Sequence, residues 1–359
     1  MNQEEIYMKR CIQLARNGQN TTSPNPMVGA VIVCDGKIIG EGYHIRCGGP
    51  HAEVHAIRSV KDQELLKRST IYVSLEPCSH YGKTPPCADL IIEKQIPRVV
   101  IGCMDPFAKV AGRGIQKLQN AGIDVTVGVC EEECKELNKR FFTFHQKKRP
   151  FITLKWAQSA DGFLDGKRSP DDGKTAIRFS NPESMTDVHK LRSCHEAILV
   201  GYKTALLDDP KLNVRLWTGK NPIRIVIDPL NELPEDLQLF TDGGQTRHYT
   251  TTETCRHPES ANDTVTSIRL EKDLPLLPQI MSDLYQCGIQ SLLVEGGART
   301  LHEFIQADLW DTIRIEQAPM LLGTGIPAPA LSLGTDKNLK IGTKQIGENT
   351  ITYISRPFI

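Results

Sequence analysis

Four residues near the start of the chain have the types and order for metal-assisted chemistry: His51, Glu53, Cys78 and Cys87. His51, Cys78 and Cys87 are natural zinc ligands, and a zinc ion held by three protein ligands keeps a fourth position for water. Such an ion brings hydroxide within reach near neutral pH, and Glu53 is a carboxylate that could shuttle the protons. The residues alone leave two other readings open. The zinc could be structural, with His55 or His80 as its fourth ligand, and Glu53 could be a solvated carboxylate. The cysteines are separated by eight residues, Ser79-His80-Tyr81-Gly82-Lys83-Thr84-Pro85-Pro86.

The apolar spacing shows how these groups would be positioned. Ile6, Cys11, Ile12, Leu14 and Ala15 predict a helix over 4–17. Val28–Cys34 and Lys37–Tyr43 flank Asp35-Gly36, a turn signal for a hairpin. A helix is expected from near His51, a buried strand over Thr70–Leu75, and a helix over Cys87–Lys94 entered through Pro85-Pro86. Both ligand loops would then feed helix N-termini, whose positive end favours thiolate. Strand Arg98–Met104, helix Gly112–Ala121, strand Asp124–Val129 and a polar helix Glu131–Gln146 complete an α/β layered domain. The basic stretch Lys147-Lys148-Arg149-Pro150 reads as a solvated linker and the domain boundary.

A second α/β domain follows. Strands are predicted at Phe151–Ala157, Ala197–Val200, Ile223–Asp228, Ser291–Glu295, Thr312–Gln317 and Thr350–Ser355, and helices at Pro182–Ser193, Pro275–Cys287 and Ala298–Gln306. The run Val294-Glu295-Gly296-Gly297-Ala298-Arg299-Thr300-Leu301 is strand, double glycine, helix. Amides at such a helix start can bind a pyrophosphate, although a Gly-Gly turn alone is more often just a turn.

The chain has 359 residues, enough for two domains, and 43 basic residues balance 43 acidic ones. No global field draws it to nucleic acid or to an anionic membrane. No apolar run approaches the roughly 20 residues needed to span a bilayer. Eleven scattered cysteines and an acidic N-terminus fit reduced thiols and a cytoplasmic protein.

The order H-x-E…P-C…C is the signature of zinc-dependent nucleobase deaminases, in whose commonest form two residues separate the cysteines. The longer insert narrows the match. Gly82-Lys83-Thr84-Pro85-Pro86-Cys87 and Ser23-Pro24-Asn25-Pro26-Met27-Val28-Gly29 resemble the bifunctional riboflavin-biosynthesis enzymes, diaminohydroxyphosphoribosylaminopyrimidine deaminase joined to 5-amino-6-(5-phosphoribosylamino)uracil reductase. The resemblance covers nearly the whole chain and is densest over residues 1–130. It implies a cytidine-deaminase-like α/β/α domain over 1–147 and a dihydrofolate-reductase-like α/β domain over 148–359. In that family the matching Asn25 and His44 line the pyrimidine pocket, and Lys83 is a further candidate for substrate. Asn25 between two prolines also suits a plain turn, His44 a strand end, and Lys83 a solvated surface.

The reductase half of the family binds NADPH. Its Lys-x-x-x-Ser-x-Asp-Gly stretch is matched by Lys155–Gly162, and its strand and loop with Thr and Asp-Asp-Pro by Val200–Pro210. The resemblance places Ala157, Thr204 and Asp208 at the cofactor, with the loop Gly297, Ala298, Arg299, Thr300, Leu301, His302 and Glu303 on its pyrophosphate. It places Arg192, Leu212, Arg215 and Glu295 at the substrate; the arginines suit a phosphorylated sugar, and a surface salt bridge is the other reading of each. Two positions depart from the pattern. Ala176 replaces a Ser that contacts substrate, and Arg178 replaces an aromatic beside the cofactor. Arg178 could pair with the 2′-phosphate that separates NADP from NAD.

The expected activity is therefore two steps of riboflavin biosynthesis. The first is hydrolytic deamination of 2,5-diamino-6-(5-phosphoribosylamino)pyrimidin-4(3H)-one. The second is NADPH-dependent reduction of the ribosyl group to ribityl. The expected cofactors are Zn2+ and NADPH, and the expected partner is a small phosphorylated pyrimidine. Neither nucleic acid nor membrane is expected to bind, and the chain is expected to form a homo-oligomer. A zinc deaminase of nucleosides or tRNA bases with a non-catalytic C-terminal domain is the competing reading, and the balanced charge and the eight-residue insert weigh against it. A zinc-stabilised interaction protein without activity is a third.

Overall fold

The computed structural model describes residues 2–79, 81, 85–107, 112–253, 264–331 and 338–357. It contains two compact units, Met1–Lys148 and Arg149–Pro357.

In the first unit, helix Gln3–Ala15 starts at a reciprocal cap. The Asn2 side chain accepts from the Glu5 N–H, and the Glu5 carboxylate accepts from the Asn2 N–H. Strands Gly29–Cys34 and Lys37–Tyr43 pair antiparallel. Asp35 and Gly36 between them have φ of 51° and 73°, both in the left-handed region that matches the turn to the strand twist. The sheet order among the described residues is Lys37–Tyr43, Gly29–Cys34, Thr70–Leu75, Arg98–Cys103, Asp124–Val127. The last three strands run parallel. Every residue of Gly29–Cys34 is buried, as expected of a strand covered on both faces. Helices Ala52–Ser59 and Cys87–Glu93 contribute Ala56, Ile57 and Ile91 to one cluster, together with Ile32, Ile71 and Ile101. Helix Gln3–Ala15 covers the other face through Met8, Cys11 and Ile12. Each fully buried Ile or Met here contributes about 1.5–3 kcal/mol of transfer free energy.

The second unit is built on a nine-stranded sheet, again among the described residues. Its order is Val265–Arg269, Thr246–Thr250, Ile223–Ile227, Ala197–Gly201, Ser291–Gly296, Phe151–Gln158, Thr312–Gln317, Asn349–Ser355, Lys340–Ile346. The first seven strands are parallel and the last two antiparallel. Helix Pro182–Ser193 begins with Asn181 accepting from the Ser184 N–H and with Pro at its first position. Helix Ala298–Gln306 buries Leu301 and Phe304 in the main cluster with Leu154, Leu199 and Val294.

Three expectations need correction. The helix predicted over Glu131–Gln146 is two helices, Glu131–Leu137 and Lys139–Lys147, broken at Asn138, whose φ and ψ are −110° and 23°. Val200–Pro210 contains a helix, Tyr202–Asp208, too short for its period to show in the sequence. Arg149 is not part of a solvated linker. It is buried, its guanidinium grips both Asp311 oxygens at 2.6 and 2.9 Å, and Asp311 also accepts from the Ile152 N–H.

Candidate functional site

His51 is the extended N-cap residue of helix Ala52–Ser59 and makes no side-chain cap bond, so its ring is left for other partners. Cys78 lies three residues past that strand, and Cys87 is the first residue of helix Cys87–Glu93. The His51 Nδ1 is 3.5 Å from the Cys78 Sγ and 3.3 Å from the Cys87 Sγ. The three ligand atoms lie within 4.8 Å of one another. A tetrahedral zinc with Zn–S of about 2.3 Å and Zn–N of about 2.0 Å sets such N and S atoms about 3.5 Å apart, so the donor set and its spacing fit that ion.

The Cys87 N–H donates to the Cys78 Sγ at 3.2 Å. A hydrogen bond from the Cys87 thiol, opposed by burial and helped by His51, holds Cys78 down at about 4. The same bond and burial push Cys87 up. The cluster thus carries thiolate charge for a cation.

Glu53 is not a solvated carboxylate. It is 3 % exposed, and its Oε2 has no hydrogen-bond partner among the described residues. Burial pushes its carboxyl above the ordinary range, and His51 pulls it partly back. An orphaned buried carboxylate oxygen beside a ligand cluster is what a proton shuttle needs. His55 is not among the converging ligands, and His80 and Lys83 lie outside the described residues.

The strand end that delivers Cys78 is braced by Glu76. Its carboxylate accepts from the N–H groups of Asp105, Gly112, Gly114 and Ile115 at 2.9–3.4 Å. A Cβ on Gly114 would collide with the Pro77 carbonyl, so helix Arg113–Asn120 closes directly against the Pro77-Cys78 turn. Sequence reasoning did not select Glu76, and only its place two residues before Cys78 could have pointed to it.

Asn25 and His44 come together beside His51. The Asn25 Nδ2 is 3.3 Å from the His44 Nε2, and the His44 Nδ1 is 3.0 Å from the Pro50 carbonyl. Burial lowers the pKa of His44. A neutral His44 would donate from Nδ1 and accept from the Asn25 amide at Nε2. The His44 and His51 rings meet edge to face at 5.4 Å.

In the second unit, Arg192 and Glu295 form a buried bidentate pair, with both N···O distances at 2.8 Å. Arg192 also donates to the Asn213 carbonyl at 3.2 Å. Among the described residues two of its five N–H groups stay uncommitted, so its grip on a substrate would be partial. Burial pushes Glu295 up, but Arg192 and Lys155 outweigh it and hold the carboxyl at about 2. Lys155 faces Arg314 across the sheet and makes no ion pair or hydrogen bond among the described residues. Burial lowers its pKa, against the pull of Glu295. His189 is held down at about 4 by burial and by Arg192 and Arg215, and its Nδ1 accepts from the Arg215 N–H at 3.1 Å. Neither Lys155 nor His189 stands out as a site residue from sequence spacing alone. Leu212 is buried with φ of 49°, and Arg215 is exposed.

The candidate cofactor loop Gly297–Glu303 spans a helix start. Strand Ser291–Gly296 runs through Gly297 into helix Ala298–Gln306, whose cap has no side-chain hydrogen bond. The amides of Ala298, Arg299 and Thr300 have no intrahelical acceptor, whereas the Leu301 N–H already donates to the Gly297 carbonyl. The Leu301 side chain belongs to the core, and His302 and Glu303 lie beyond the first turn. Glu303 pairs with Arg299 at 2.8 Å. Thr204 stands over the double glycine, its Oγ1 2.9 Å from where a Cβ on Gly297 would be, so a side chain there would press on Thr204. Asp208 pairs with Arg168 at 2.6 Å, and Arg168 also holds Asp165. Ala157 is half-buried near the end of strand Phe151–Gln158. Arg178 is exposed, and Ala176 lies on the same irregular segment.

The family model for the cytidine and deoxycytidylate deaminase zinc-binding region matches residues 1–103, and that for the RibD C-terminal domain matches residues 150–351. The riboflavin biosynthesis protein RibD of Aquifex aeolicus is 40% identical over 358 residues, covering 98% of each chain. That of Escherichia coli is 41% identical over 336 residues, covering 90% of this chain and 89% of its own. The crystal structure of a diaminohydroxyphosphoribosylaminopyrimidine deaminase/5-amino-6-(5-phosphoribosylamino)uracil reductase from Thermotoga maritima superposes with a TM-score of 0.84, at 36% identity and 99% coverage of both chains. Acinetobacter baumannii RibD superposes equally well, at 32% identity and 98% coverage of both. A zinc-binding deaminase region in the first unit and a reductase region in the second agree with the two sites, and the chain belongs to the RibD family of bifunctional riboflavin-biosynthesis proteins.

Proposed function

We propose that the first unit deaminates 2,5-diamino-6-(5-phosphoribosylamino)pyrimidin-4(3H)-one and that the second reduces the resulting 5-amino-6-(5-phosphoribosylamino)uracil with NADPH. The observation that carries this reading is the convergence of His51, Cys78 and Cys87 beside the buried Glu53, whose Oε2 has no hydrogen-bond partner among the described residues.

His51, Cys78 and Cys87 would hold zinc, which when bound supplies an acidified water. Glu53 takes the proton of that water as its oxygen adds to the amidine-like ring carbon. The same carboxyl returns the proton to the departing amino group, so water enters and ammonia leaves. Asn25, oriented by His44, presents an amide to the carbonyl and amino edges of the ring. Lys83 is a further candidate contact.

The nicotinamide cofactor, when bound, supplies the hydride that ends on C1′ of the ribosyl group. A proton must reach the sugar ring oxygen in the same net reaction. Lys155, half-buried and within the electrostatic reach of Glu295, with no hydrogen bond or ion pair among the described residues, would deliver it. The amides of Ala298, Arg299 and Thr300, with Thr204 beside Gly297, would receive the pyrophosphate. Arg192 and Arg215 would bind the substrate phosphate, with Leu212 and Glu295 lining its site. Ala157 and Asp208 would lie at the cofactor, and Arg178 would meet its 2′-phosphate.

In this reading the partners are small molecules rather than nucleic acid or a membrane. The chain works in the cytoplasm as a homo-oligomer. Among the described residues no helix is long and apolar enough to cross a membrane. The test is an assay of the purified chain with the diaminopyrimidine substrate. Ammonia release followed by NADPH oxidation supports the reading, and release of ammonia without any NADPH oxidation removes the reductase half.

A further inference from the structure

The break in the helix at Asn138 coincides with an unusual use of its side chain. Asn138 is 4 % exposed, and its amide meets the main chain of a single residue, Met27. The Met27 N–H donates to the Asn138 Oδ1 at 2.8 Å, and the Asn138 Nδ2 donates to the Met27 carbonyl at 2.8 Å. The side chain thus imitates a neighbouring strand. A primary amide suits this role because it offers a donor and an acceptor in one plane.

Met27 belongs to the segment that carries Asn25. That segment lies outside any helix or strand, and neither Pro24 nor Pro26 has an N–H to anchor it. Its other backbone ties include the Asn25 N–H donating to the Thr22 carbonyl at 2.8 Å and the His44 N–H to the Val28 carbonyl at 2.9 Å. The far end of the clamp is rigid, because Phe141 and Phe142, one turn beyond Asn138, are buried in the core. The chain of contacts is continuous. Asn138 fixes Met27, Met27 lies two residues from Asn25, Asn25 meets His44, and His44 meets the carbonyl of Pro50, which precedes His51.

We propose that Asn138 is a positioning residue for deamination, setting the place of Asn25 over the pyrimidine. The inference rests on the reading of Asn25 as a pocket residue. It assigns a purpose to the interrupted helix: Asn138 gives up regular helical geometry so that its amide can hold a loop 111 residues away in sequence.

The test compares Asn138→Asp, Asn25→Ala and the double variant in the full-length, zinc-loaded chain. Asn138→Asp keeps the acceptor and sets a carboxylate oxygen against the Met27 carbonyl. Removing one buried hydrogen bond and leaving that carbonyl unpaired predicts a KM for deamination raised roughly tenfold. The turnover number should change by less than about twofold, and NADPH oxidation on the pre-deaminated substrate should stay unaltered. The double variant should be no worse than Asn25→Ala alone, because both changes act through one contact. Multiplying losses in the double variant would overturn the inference, as would an unchanged KM for Asn138→Asp when Asn25→Ala is impaired. A fully active Asn25→Ala would remove the pocket reading of Asn25 and the inference with it. If Asn138→Asp loses zinc or reductase rate, Asn138→Ser, which drops both bonds without adding charge, gives the same comparison.

Discussion

Arg192 and Glu295 meet as a two-bonded ion pair that is nine-tenths buried or more on the arginine side and has both N···O distances at 2.8 Å. The pair joins helix Pro182–Ser193 to the end of strand Ser291–Gly296, directly before the double glycine of the candidate cofactor loop. The two side chains proposed to meet the substrate therefore also tie a helix to a strand of the second unit.

Glu295→Gln tests that coupling. The substitution leaves a buried guanidinium with a neutral partner, and breaking such a pair costs about 3–5 kcal/mol. The expected outcome is a lower unfolding midpoint and loss of NADPH oxidation, with ammonia release retained. The pH dependence follows from Glu295, whose folded pKa of about 2 lies below its ordinary value of 4.5. Its contribution is complete above about 4.5 and is lost as pH falls from there toward 2. Denaturation curves over that range should show a shallower acid loss for Glu295→Gln than for the parent chain. Parallel acid profiles would mean that the pair is not the source.

Arg178 is exposed on an irregular segment where the family pattern has an aromatic residue. A contact with the 2′-phosphate predicts that Arg178→Ala lowers the preference for NADPH over NADH about tenfold or more, the size of one charge-assisted hydrogen bond. The check is kcat/KM with each cofactor. An unchanged ratio removes the contact.

Glu76 holds four backbone N–H groups beside the Cys78 turn. Glu76→Gln trades one carboxylate oxygen for a donor facing the Asp105 and Gly112 amides, or else the Gly114 and Ile115 amides. The expected outcome is a loss of about 1–3 kcal/mol in stability and weaker zinc retention during dialysis against a chelator. Zinc retention equal to the parent would confine Glu76 to the fold.

Removal of the metal should separate the two activities. Exhaustive chelation is expected to abolish ammonia release and to spare NADPH oxidation on the pre-deaminated substrate, and added zinc should restore the first. Cys78→Ser and Cys87→Ser should each fail to retain stoichiometric zinc.

Much of this architecture was legible in local pattern. Strand Thr70–Leu75 and helix Pro182–Ser193 occupy the expected residues because apolar runs, an Asn cap and a first-turn proline mark them within a few positions. The ligand trio was legible because metal chemistry restricts residue types sharply. What escaped depends on partners remote in sequence. Asn138 breaks a helix to meet Met27, and Arg149 leaves a basic run to pair with Asp311. Nothing near either residue announces its partner. Leu301 shows the opposite limit. Its place in a glycine-rich helix start suggested the cofactor, yet helical periodicity turns its side chain into the core, where truncation to Ala would cost about 2–5 kcal/mol.

The most direct measurement is ammonia release by Glu53→Gln, with zinc content and NADPH oxidation measured on the same preparation. The account predicts full zinc, a normal rate of NADPH oxidation on the pre-deaminated substrate, and a loss of deamination of at least about a hundredfold, the lower range for a general acid–base group. Deamination at the parent rate with full zinc would contradict it.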